Sequence, residues 1–277
     1  PLNGDVGTLT IDVTADDGNG GTAATDQFDL VIANSNDDPT LNNAIADQNA
    51  TEDTAFSFTF DANSFGDVDV GDTLTYSATL SSGAALPAWL SFDGTSRTFS
   101  GTPLNGDVGT LTIDVTADDG NGGTPAIDQF DLVIANSNDD PTLNNAISDQ
   151  NATEDSAFSF TFDANSFGDV DVGDTLTYSA TLSSGAALPA WLSFDGTSRT
   201  FSGTPLNGDV GTLTIDVTAD DGNGGTPAID QFDLVIANSN DDPTLNNAIS
   251  DQNATEDSAF SFTFDANSFG DVDVGDT

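Results

Sequence analysis

The amino-acid sequence repeats itself every 102 residues, and this repetition constrains the fold more than any other feature. Residues 39–140 and 141–242 align without a gap and differ at two positions. Residues 1–38 match the end of such a unit, and residues 243–277 match its beginning. Near-identical tandem units are typical of repeat architectures. We therefore predict the C-terminal part of one repeat, two complete repeats and the N-terminal part of a fourth, as a window from a longer array.

Within one repeat, apolar residues alternate with polar ones. Phe56, Phe58 and Phe60 are separated by single small polar residues, and the stretches around Leu111 and Phe130 follow the same rule. A period of two indicates strands with one buried side and one solvent-facing side. Segments rich in Gly, Asp and Asn separate the strands and favour turns. The sequence predicts an all-β fold, with tandem antiparallel β-sandwich domains of immunoglobulin type and about seven strands in each.

Each complete repeat contains one tryptophan, Trp89 in the first and Trp191 in the second. In the first repeat Leu86 and Leu90 flank it. A large apolar side chain in such a setting is expected to anchor the core of the sandwich.

Charge is the second constraint on this chain. It has 47 acidic residues, and Arg97 and Arg199 are its only basic ones, so its net charge is −45. An acidic chain with few apolar residues would be disordered. Here 36% of the residues are apolar and 19 are Phe, and they alternate along the chain. We therefore expect a folded protein whose self-repulsion requires neutralisation by something that binds to it.

The residue types that are absent exclude several classes of function. The chain has no His, no Cys and no Lys, so Ser-His-Asp and Cys-His catalysis, thiolate or imidazole metal sites and Schiff-base chemistry are excluded. Nucleic acid is an implausible partner because almost no cationic side chain could displace its counterions. No apolar run has the length of a membrane span.

Five oxygen-rich clusters of the first complete repeat lie at strand ends or in loops. Alternate residues such as Asp67 and Asp69, with a glycine nearby, can turn two carboxylates toward one ion. Ca²⁺ takes six to eight oxygen ligands from carboxylates, amides and carbonyls, whereas Zn²⁺ favours nitrogen and sulfur. The clusters therefore predict calcium binding. They are Thr51-Glu52-Asp53, Asp67 to Asp72, Leu104 to Asp107, Ala117 to Gly120 and Asn136 to Pro141.

Taken in order, these clusters resemble the motifs of the cadherin repeat, in the dystroglycan-type cadherin-like variant of large bacterial surface proteins. The linker from Asn136 to Pro141 resembles DxNDNxP, although it begins with Asn where cadherins have Asp. The other matches are Asp67-x-Asp69-x-Gly71 with Tyr76-Ser77 for DxDxG…YS, Ala117-x-Asp119-Gly120 for AxDxG, Leu104 to Asp107 for LDRE, and Glu52 for the early glutamate.

This resemblance implies Ca²⁺ ions between consecutive domains, with ligands from the domain before the linker, the linker itself and the domain after it. The implied ligands at the first linker are Asp5, Asn36, Asp37, Asp67, Asp69 and Asp119. Those at the second are Glu52, Asp107, Asn138, Asp139, Asp169, Asp171 and Asp221. Those at the third are Glu154, Asp209, Asn240, Asp241, Asp271 and Asp273.

The resulting functional hypothesis is a calcium-rigidified extender segment of a secreted or surface-attached bacterial adhesin or extracellular filament. Its partners would be calcium ions, neighbouring repeats and, in a fibre, identical chains. Since near-identical repeats add length rather than distinct recognition surfaces, the extender is favoured over a module acting through homophilic or carbohydrate contacts. A carboxylate pair could also hydrolyse a glycoside, but the linker motif accounts for the acidic clusters, so we predict no enzyme.

Two simpler alternatives stay open from the sequence alone. The acidic clusters could be a solvated surface that binds no ion, as expected for Asp114 and Asp131 on the polar faces of strands. The tripeptide Asn49-Ala50-Thr51 also fits a glycosylation acceptor. Calcium titration distinguishes the first alternative from the extender.

Overall fold

A computed structural model describes residues 1–69 and 71–273 of the chain. These residues form strands and three short 3-10 turns, and the described part of the chain contains no α-helix. The 3-10 turns are Asn3–Asp5, Asn105–Asp107 and Asn207–Asp209. The predicted all-β class is confirmed.

The chain divides into two compact units, Pro1–Ser137 and Asn138–Thr277. The first unit begins with a hairpin of strands β1 (Gly7–Ala15) and β2 (Ala24–Ile32) and continues into the first complete repeat. The strands of that repeat are β3 (Thr40–Leu41), β4 (Gln48–Thr51), β5 (Phe56–Thr59), β6 (Phe65–Gly66), β7 (Thr75–Leu80), β8 (Leu90–Asp93), β9 (Thr98–Gly101), β10 (Gly109–Asp118) and β11 (Ala126–Ala135).

The second unit has the same strand order. Its complete repeat is followed by a trailing segment that contributes the two short strands β21 (Thr244–Leu245) and β22 (Phe269–Gly270). The strands of the repeat are β12 (Thr142–Leu143), β13 (Gln150–Thr153), β14 (Phe158–Thr161), β15 (Phe167–Gly168), β16 (Thr177–Leu182), β17 (Leu192–Asp195), β18 (Thr200–Gly203), β19 (Gly211–Asp220) and β20 (Ala228–Ala237).

Each repeat contains one four-stranded and one three-stranded sheet. In the first repeat their strand orders are β4-β11-β10-β7 and β5-β9-β8, with β3 and β6 paired separately. All pairs are antiparallel except β4 with β11, which run parallel with Gln48 opposite Leu132 and Thr51 opposite Ala135. The second repeat reproduces this arrangement. The sandwich predicted as antiparallel therefore contains one parallel pair of strands in each repeat. The sequence did not predict this pair, because alternation shows which face of a strand is buried but not the direction of the strand.

The parallel pair determines where the chain enters and leaves a repeat. Because the first strand of the four-stranded sheet, β4, runs alongside the last one, β11, in the same direction, the chain enters at one end of the repeat and leaves at the other. A ten-residue strand such as β11 spans roughly 33 Å. The fold therefore places successive linkers at opposite ends of one repeat.

The core of the first repeat is built on phenylalanine. Phe99 is fully buried and contacts Phe92 and Phe130, with ring centroids 4.4 Å and 5.5 Å away. Trp89, which the sequence led us to expect as the anchor, packs against this cluster but stays partly exposed. The carbonyl of Trp89 lies where a Cβ on Gly101 would sit, so only a glycine fits at position 101.

The leading and trailing segments expose residues whose equivalents are buried in the complete repeats. Phe28 is 50% exposed, whereas its equivalent Phe130 is 2% exposed. In the trailing segment Phe264 is 50% exposed, against 3% for Phe162. Neither segment buries the core of a sandwich by itself.

A buried carboxylate fastens the start of each repeat to its four-stranded sheet. Asp128 lies on the inward-facing row of β11 and is 8% exposed. Its Oδ2 accepts a hydrogen bond from the buried amide of Ile45. Asp230 accepts the equivalent bond from Ile147 in the second repeat. The buried carboxylate is tolerated on an otherwise apolar face because it is hydrogen-bonded, and it gives the buried amide the acceptor that it would otherwise lack.

We expect Asp128→Ala to lower the free energy of unfolding by about 1–3 kcal/mol, because it leaves the buried Ile45 amide without an acceptor. Chemical denaturation followed by fluorescence measures the change. Asp114→Ala is the matched control, since Asp114 accepts its bond from Gln129 on the solvent-facing side; it should cost less than about 0.5 kcal/mol. Equal losses for the two variants would contradict the role given to Asp128.

Candidate metal centre

Three linkers of identical sequence form the junctions of the chain: Asn34–Pro39, Asn136–Pro141 and Asn238–Pro243. At the first junction the linker is bonded to two loops of the following repeat. The side-chain amide of Asn36 donates to Asp119 Oδ2 and to the Gly122 carbonyl, both at 3.0 Å. The backbone amide of Asp37 donates to Asp69 Oδ2 at 2.7 Å. The linker therefore lies against the loops that carry the acidic clusters.

Asp38 adds a third attachment, and it depends on a glycine. Its Oδ1 accepts a hydrogen bond of 3.1 Å from the Thr124 amide. The same oxygen lies where a Cβ on Gly123 would sit, and Gly123 has a φ of +111°. Only a glycine permits this close approach. Gly123 is thus explained by the linker side chain that packs on it.

The loop between β6 and β7 gathers three carboxylates. Asp69 donates its amide to Asp67 Oδ1 at 2.9 Å, and Gly71, at a φ of +104°, lets the chain turn back so that Asp72 joins them. One oxygen from each of Asp67, Asp69 and Asp72 lies within 4.8 Å of the others. Three carboxylates at this spacing repel one another unless a cation lies between them.

Two buried oxygens of this group have no hydrogen-bond partner among the described residues. Asp69 is 5% exposed, and its Oδ1 is buried without a hydrogen-bond partner among the described residues. Asp67 Oδ2 is likewise buried and unpartnered. A buried carboxylate oxygen without a donor is costly. These oxygens suit a hard cation such as Ca²⁺, which accepts ligands of this kind.

The second unit shows the same arrangement at the loops that follow the second junction. Asn138 donates to Asp221 Oδ2 at 3.0 Å, and the Asp139 amide donates to Asp171 Oδ2 at 2.8 Å. Here one oxygen from each of Asp169, Asp174 and Asp221 lies within 4.8 Å of the others.

At the third junction two buried carboxylates hold consecutive parts of the same linker. Glu154 is fully buried, and its Oε1 accepts from the Ser239 amide at 2.8 Å. Asp273 is 6% exposed, and its Oδ2 accepts from the Asp241 amide at 2.7 Å. In each carboxylate the other oxygen is buried without a hydrogen-bond partner in the described part of the chain. A domain before the linker and a segment after it therefore both offer unpartnered oxygens there.

The residues predicted from the LDRE-like motif behave differently. Asp5 Oδ2 accepts from the Leu2 amide at 2.8 Å and so closes its own 3-10 turn. The neighbouring Asn3 reaches the linker instead, and its side-chain amide donates to Asp37 Oδ2 at 2.6 Å. Asp107 and Asp209 close equivalent turns, and Asn207 reaches Asp241.

Most predicted ligands thus lie at the junctions of their own unit, although their roles as ligands stay predictions. In the first unit Asn36, Asp37, Asp67, Asp69 and Asp119 are close together, and Glu52 accepts from the Ser137 amide. In the second unit the members bonded to a linker or grouped beside it are Asn138, Asp139, Glu154, Asp169, Asp171, Asp221, Asn240, Asp241, Asp271 and Asp273.

The sequence analysis missed several junction residues, among them Asp72, Asp174, Asn3 and Asn207, as well as Asp38 and Asp140, which bond to the repeat that follows their linker. Asp72 and Asp174 lie in the predicted clusters, yet the family motif does not include them. Asn3 and Asn207 precede the predicted Asp5 and Asp209 by two residues. The signal for Asp72 was its place directly after Gly71. No sequence signal distinguished Asn3 from Asp5, because which side chain of a turn faces the linker depends on the turn itself.

We expect Gly225→Ala to weaken the attachment of the linker more than Gly222→Ala does. Both glycines have positive φ values, +100° and +78°, so both substitutions strain the backbone. A Cβ at Gly225 would also displace Asp140 from the Thr226 amide, whereas none of the surrounding atoms lies within 4 Å of a Cβ at Gly222. Thermal unfolding should show an additional loss of about 1 kcal/mol for Gly225→Ala. Equal losses would contradict the packing role of Gly225.

Among the described residues, none of the helical segments has the length and apolarity that crossing a membrane requires.

Comparison with known proteins supports the fold. Mouse cadherin-23 repeats EC22–24 align over 84% of this chain and 74% of theirs, with 18% identity and a TM-score of 0.51. Repeats EC1–3 of a mouse clustered protocadherin align over 83% of this chain and 76% of theirs, with 16% identity and a TM-score of 0.49. An endo-fucoidan hydrolase of glycoside hydrolase family 107 matches 85% of this chain at 19% identity, with a TM-score of 0.32, and the chain spans 34% of its length.

No curated protein matches the chain. The family model described as "Putative Ig domain" matches residues 38–135 and 140–237, one copy for each complete repeat. This family match and the cadherin-like topology of the sandwich agree with the cadherin-like repeat that the linker motifs suggested. The chain belongs to the family described as "Putative Ig domain", in two tandem copies.

Proposed function

We propose that the chain is a calcium-rigidified extender of a long extracellular repeat protein, with Ca²⁺ bound at the junctions. One observation carries this proposal. Glu154 holds the Ser239 amide and Asp273 holds the Asp241 amide of the same linker, and among the described residues each keeps its second oxygen buried and unpartnered. Buried carboxylate oxygens without donors are costly, and a bound cation would remove that cost.

The donor set selects the ion. Every candidate ligand is a carboxylate, a side-chain amide or a backbone carbonyl, and the chain offers no imidazole or thiolate. Ca²⁺ accepts six to eight such oxygens in irregular geometry, whereas Mg²⁺ requires a strict octahedron and retains water. At the third junction Glu154, Asn240, Asp241, Asp271 and Asp273 would hold the ion. The positive charge of the ion would neutralise the negative charge of their carboxylates.

Calcium would act by coupling two repeats through one linker. The linker is bonded to the following repeat through Asn36, Asp37 and Asp38 at the first junction. Without an ion, the carboxylates of the preceding domain and of the linker repel each other. With an ion, they become shared ligands and the two domains are fixed in line. Extracellular modules bind Ca²⁺ at roughly 10⁻⁴–10⁻³ M, so stiffening would follow secretion.

This mechanism fits a secreted or surface-attached bacterial adhesin or filament. The fold separates the two linkers of a repeat by its whole length, so each repeat adds reach. Because the repeats are nearly identical, a further repeat adds no new recognition surface. In a fibre, identical chains would be further partners. A structural module of this kind needs no catalytic residues, and we infer that the chain is not an enzyme.

We expect millimolar calcium to raise the melting temperature and to increase the maximum dimension measured by small-angle scattering, and EDTA to reverse both changes. Asp139→Asn with Asp171→Asn should abolish the extension at the second junction, since it removes two proposed ligands there. The control variant Asp114→Asn with Asp216→Asn removes the same number of charges from the solvent-facing side of the strands. It should leave the extension and the melting temperature in calcium unchanged. If neither dimension nor melting temperature responds to calcium, the acidic clusters are a solvated surface and the proposal fails.

We expect Asp174→Asn to weaken calcium binding by at least about tenfold in the second unit, because its carboxylate shares a site with Asp169 and Asp221. Isothermal titration calorimetry of the complete chain measures the number and affinity of the sites. Asp216→Asn makes the same change of charge away from the junctions and serves as the control. An unchanged affinity in Asp174→Asn would remove this residue from the ligand set.

A further inference from the structure

One motif of the sequence has no role at the junctions. The tripeptide Asn-Ala-Thr occurs three times, as Asn49-Ala50-Thr51, Asn151-Ala152-Thr153 and Asn253-Ala254-Thr255, and Asp-Gln precedes each copy. Asn-x-Thr is the acceptor tripeptide for N-linked glycosylation of exported proteins. The motif by itself does not establish a modification site, so the placement of its Asn and Thr in the fold decides.

Both side chains that an acceptor tripeptide needs face solvent in the complete repeats. In β4 the side chains of Asn49 and Thr51 are exposed, whereas Ala50 between them is buried. Successive side chains of a strand point to opposite faces, so Asn49 and Thr51 lie on the same outer face. In β13 Asn151 and Thr153 are exposed in the same way. An oligosaccharide on Asn49 would therefore extend into solvent and displace no core residue.

The fold does not use the side-chain amide of Asn49. Among the described residues, no hydrogen bond joins the side chain of Asn49 or of Thr51 to another group of the protein. Other surface asparagines are engaged. Asn43 Nδ2 donates to the Asn63 carbonyl at 3.0 Å, and Asn36 Nδ2 donates to two acceptors of the repeat that follows it. Asn49 Nδ2 can therefore form a covalent bond without breaking a contact of the fold.

The acceptor tripeptide lies on the edge strand of the four-stranded sheet. β4 pairs with β11 on one side only. Edge strands are commonly protected from pairing with other chains by charged side chains, by proline or by a covering group. Gln48–Thr51 contains no charged residue and no proline. Beside this strand lies a groove of about 410 Å³, lined by Asn49, Thr54 and Phe56 among others. An oligosaccharide on Asn49 would cover both the edge and the groove.

The late pairing of β4 gives a transferase time to act on it. Gln48 lies opposite Leu132 in the parallel pair, and Asp47, directly before β4, accepts from the amide of Asp131, which lies 84 residues later in the chain. The acceptor tripeptide therefore stays unpaired until those residues have been exported. A tripeptide in β10 or β11 would be enclosed much sooner, because these strands pair antiparallel across a short connection.

We propose that Asn49, Asn151 and Asn253 are sites of N-linked glycosylation, modified while the chain is exported and before its repeats fold. The co-substrate is an oligosaccharide joined to a polyprenyl diphosphate. The amide nitrogen Nδ2 attacks the anomeric carbon of the first sugar, and a carbon–nitrogen bond forms. The bond from that carbon to the diphosphate oxygen breaks, and its electron pair leaves with the polyprenyl diphosphate. The proton lost from Nδ2 passes to a base of the transferase.

One oligosaccharide on every repeat would coat the array at regular intervals. Because it lies on an edge strand, it would block edge-to-edge pairing between near-identical repeats of different chains, which is a route to aggregation. The inference shares the export of the chain with the proposed extender function, but it does not depend on calcium. Asn49 and Thr51 are not among the proposed calcium ligands, so glycosylation and calcium binding can each be measured without the other.

The test analyses the complete chain from two sources by intact mass and by fragmentation of its peptides. One source is the cells that make the protein. The other is bacteria that export the chain and carry a single-subunit oligosaccharyltransferase with its lipid-linked oligosaccharide. We expect oligosaccharide on Asn49, Asn151 and Asn253 in both. Thr51→Ala, made in all three copies, should abolish the modification, whereas Thr51→Ser, made in all three copies, should retain it, because serine also completes the acceptor.

The three identical pentapeptides also test the order of events. The unmodified chain is purified, folded and then given to the same transferase with its lipid-linked oligosaccharide. We expect Asn253 to be modified at least about tenfold faster than Asn49 and Asn151, because a paired strand must open before the enzyme can bind it. Residues 252–255 form no strand, whereas β4 and β13 are paired with β11 and β20. Since the local sequence is the same, the difference in rate reports strand pairing.

Three outcomes would overturn the inference. The first is a protein whose three asparagines carry no oligosaccharide when it comes from its own cells, or accept none from the transferase during export. The second is an oligosaccharide that survives Thr51→Ala in all three copies, which would place it on other residues. The third is equal modification of Asn49, Asn151 and Asn253 in the folded chain, which would show that the pairing of β4 does not require the transfer to precede folding.

Discussion

The junctions of this chain depend on one interaction: an aspartate of the following domain accepts a hydrogen bond from the backbone amide of the linker. Asp69 holds the Asp37 amide, and Asp273 holds the Asp241 amide. The bond occupies one carboxylate oxygen and leaves the other buried and unpartnered. The same side chain therefore positions the linker and, in the function we propose, would also ligate the calcium ion.

The fold places this interaction at the ends of a repeat. Because β4 and β11 run parallel, a repeat receives the chain at one end and releases it at the other. The buried carboxylate of Asp128 fixes the start of the repeat to the same strand, while Glu154 holds the linker at the end of the second repeat. Carboxylates thus act at both ends of the sandwich, and an apolar phenylalanine core separates them.

Much of the site could be predicted because the acidic residues lie in short, ordered motifs. The motif order led to Asp67, Asp69 and Asp119, which the structure places beside the linker. It did not lead to Asp72 or Asn3, because their approach depends on the turn of Gly71 and on a 3-10 turn. Trp89 packs against the core, as its size and its apolar neighbours led us to expect, and the phenylalanines supply the fully buried rings.

The sequence by itself determined the repeat, the strand periodicity, the all-β class and the carboxylates that meet at the linkers, because these follow from local spacing and charge. The tertiary structure alone decided the direction of β4 beside β11 and the partner of each carboxylate oxygen. Strand direction and unpartnered oxygens result from contacts between residues far apart in the chain. Alternation and motif order contain no information about such contacts.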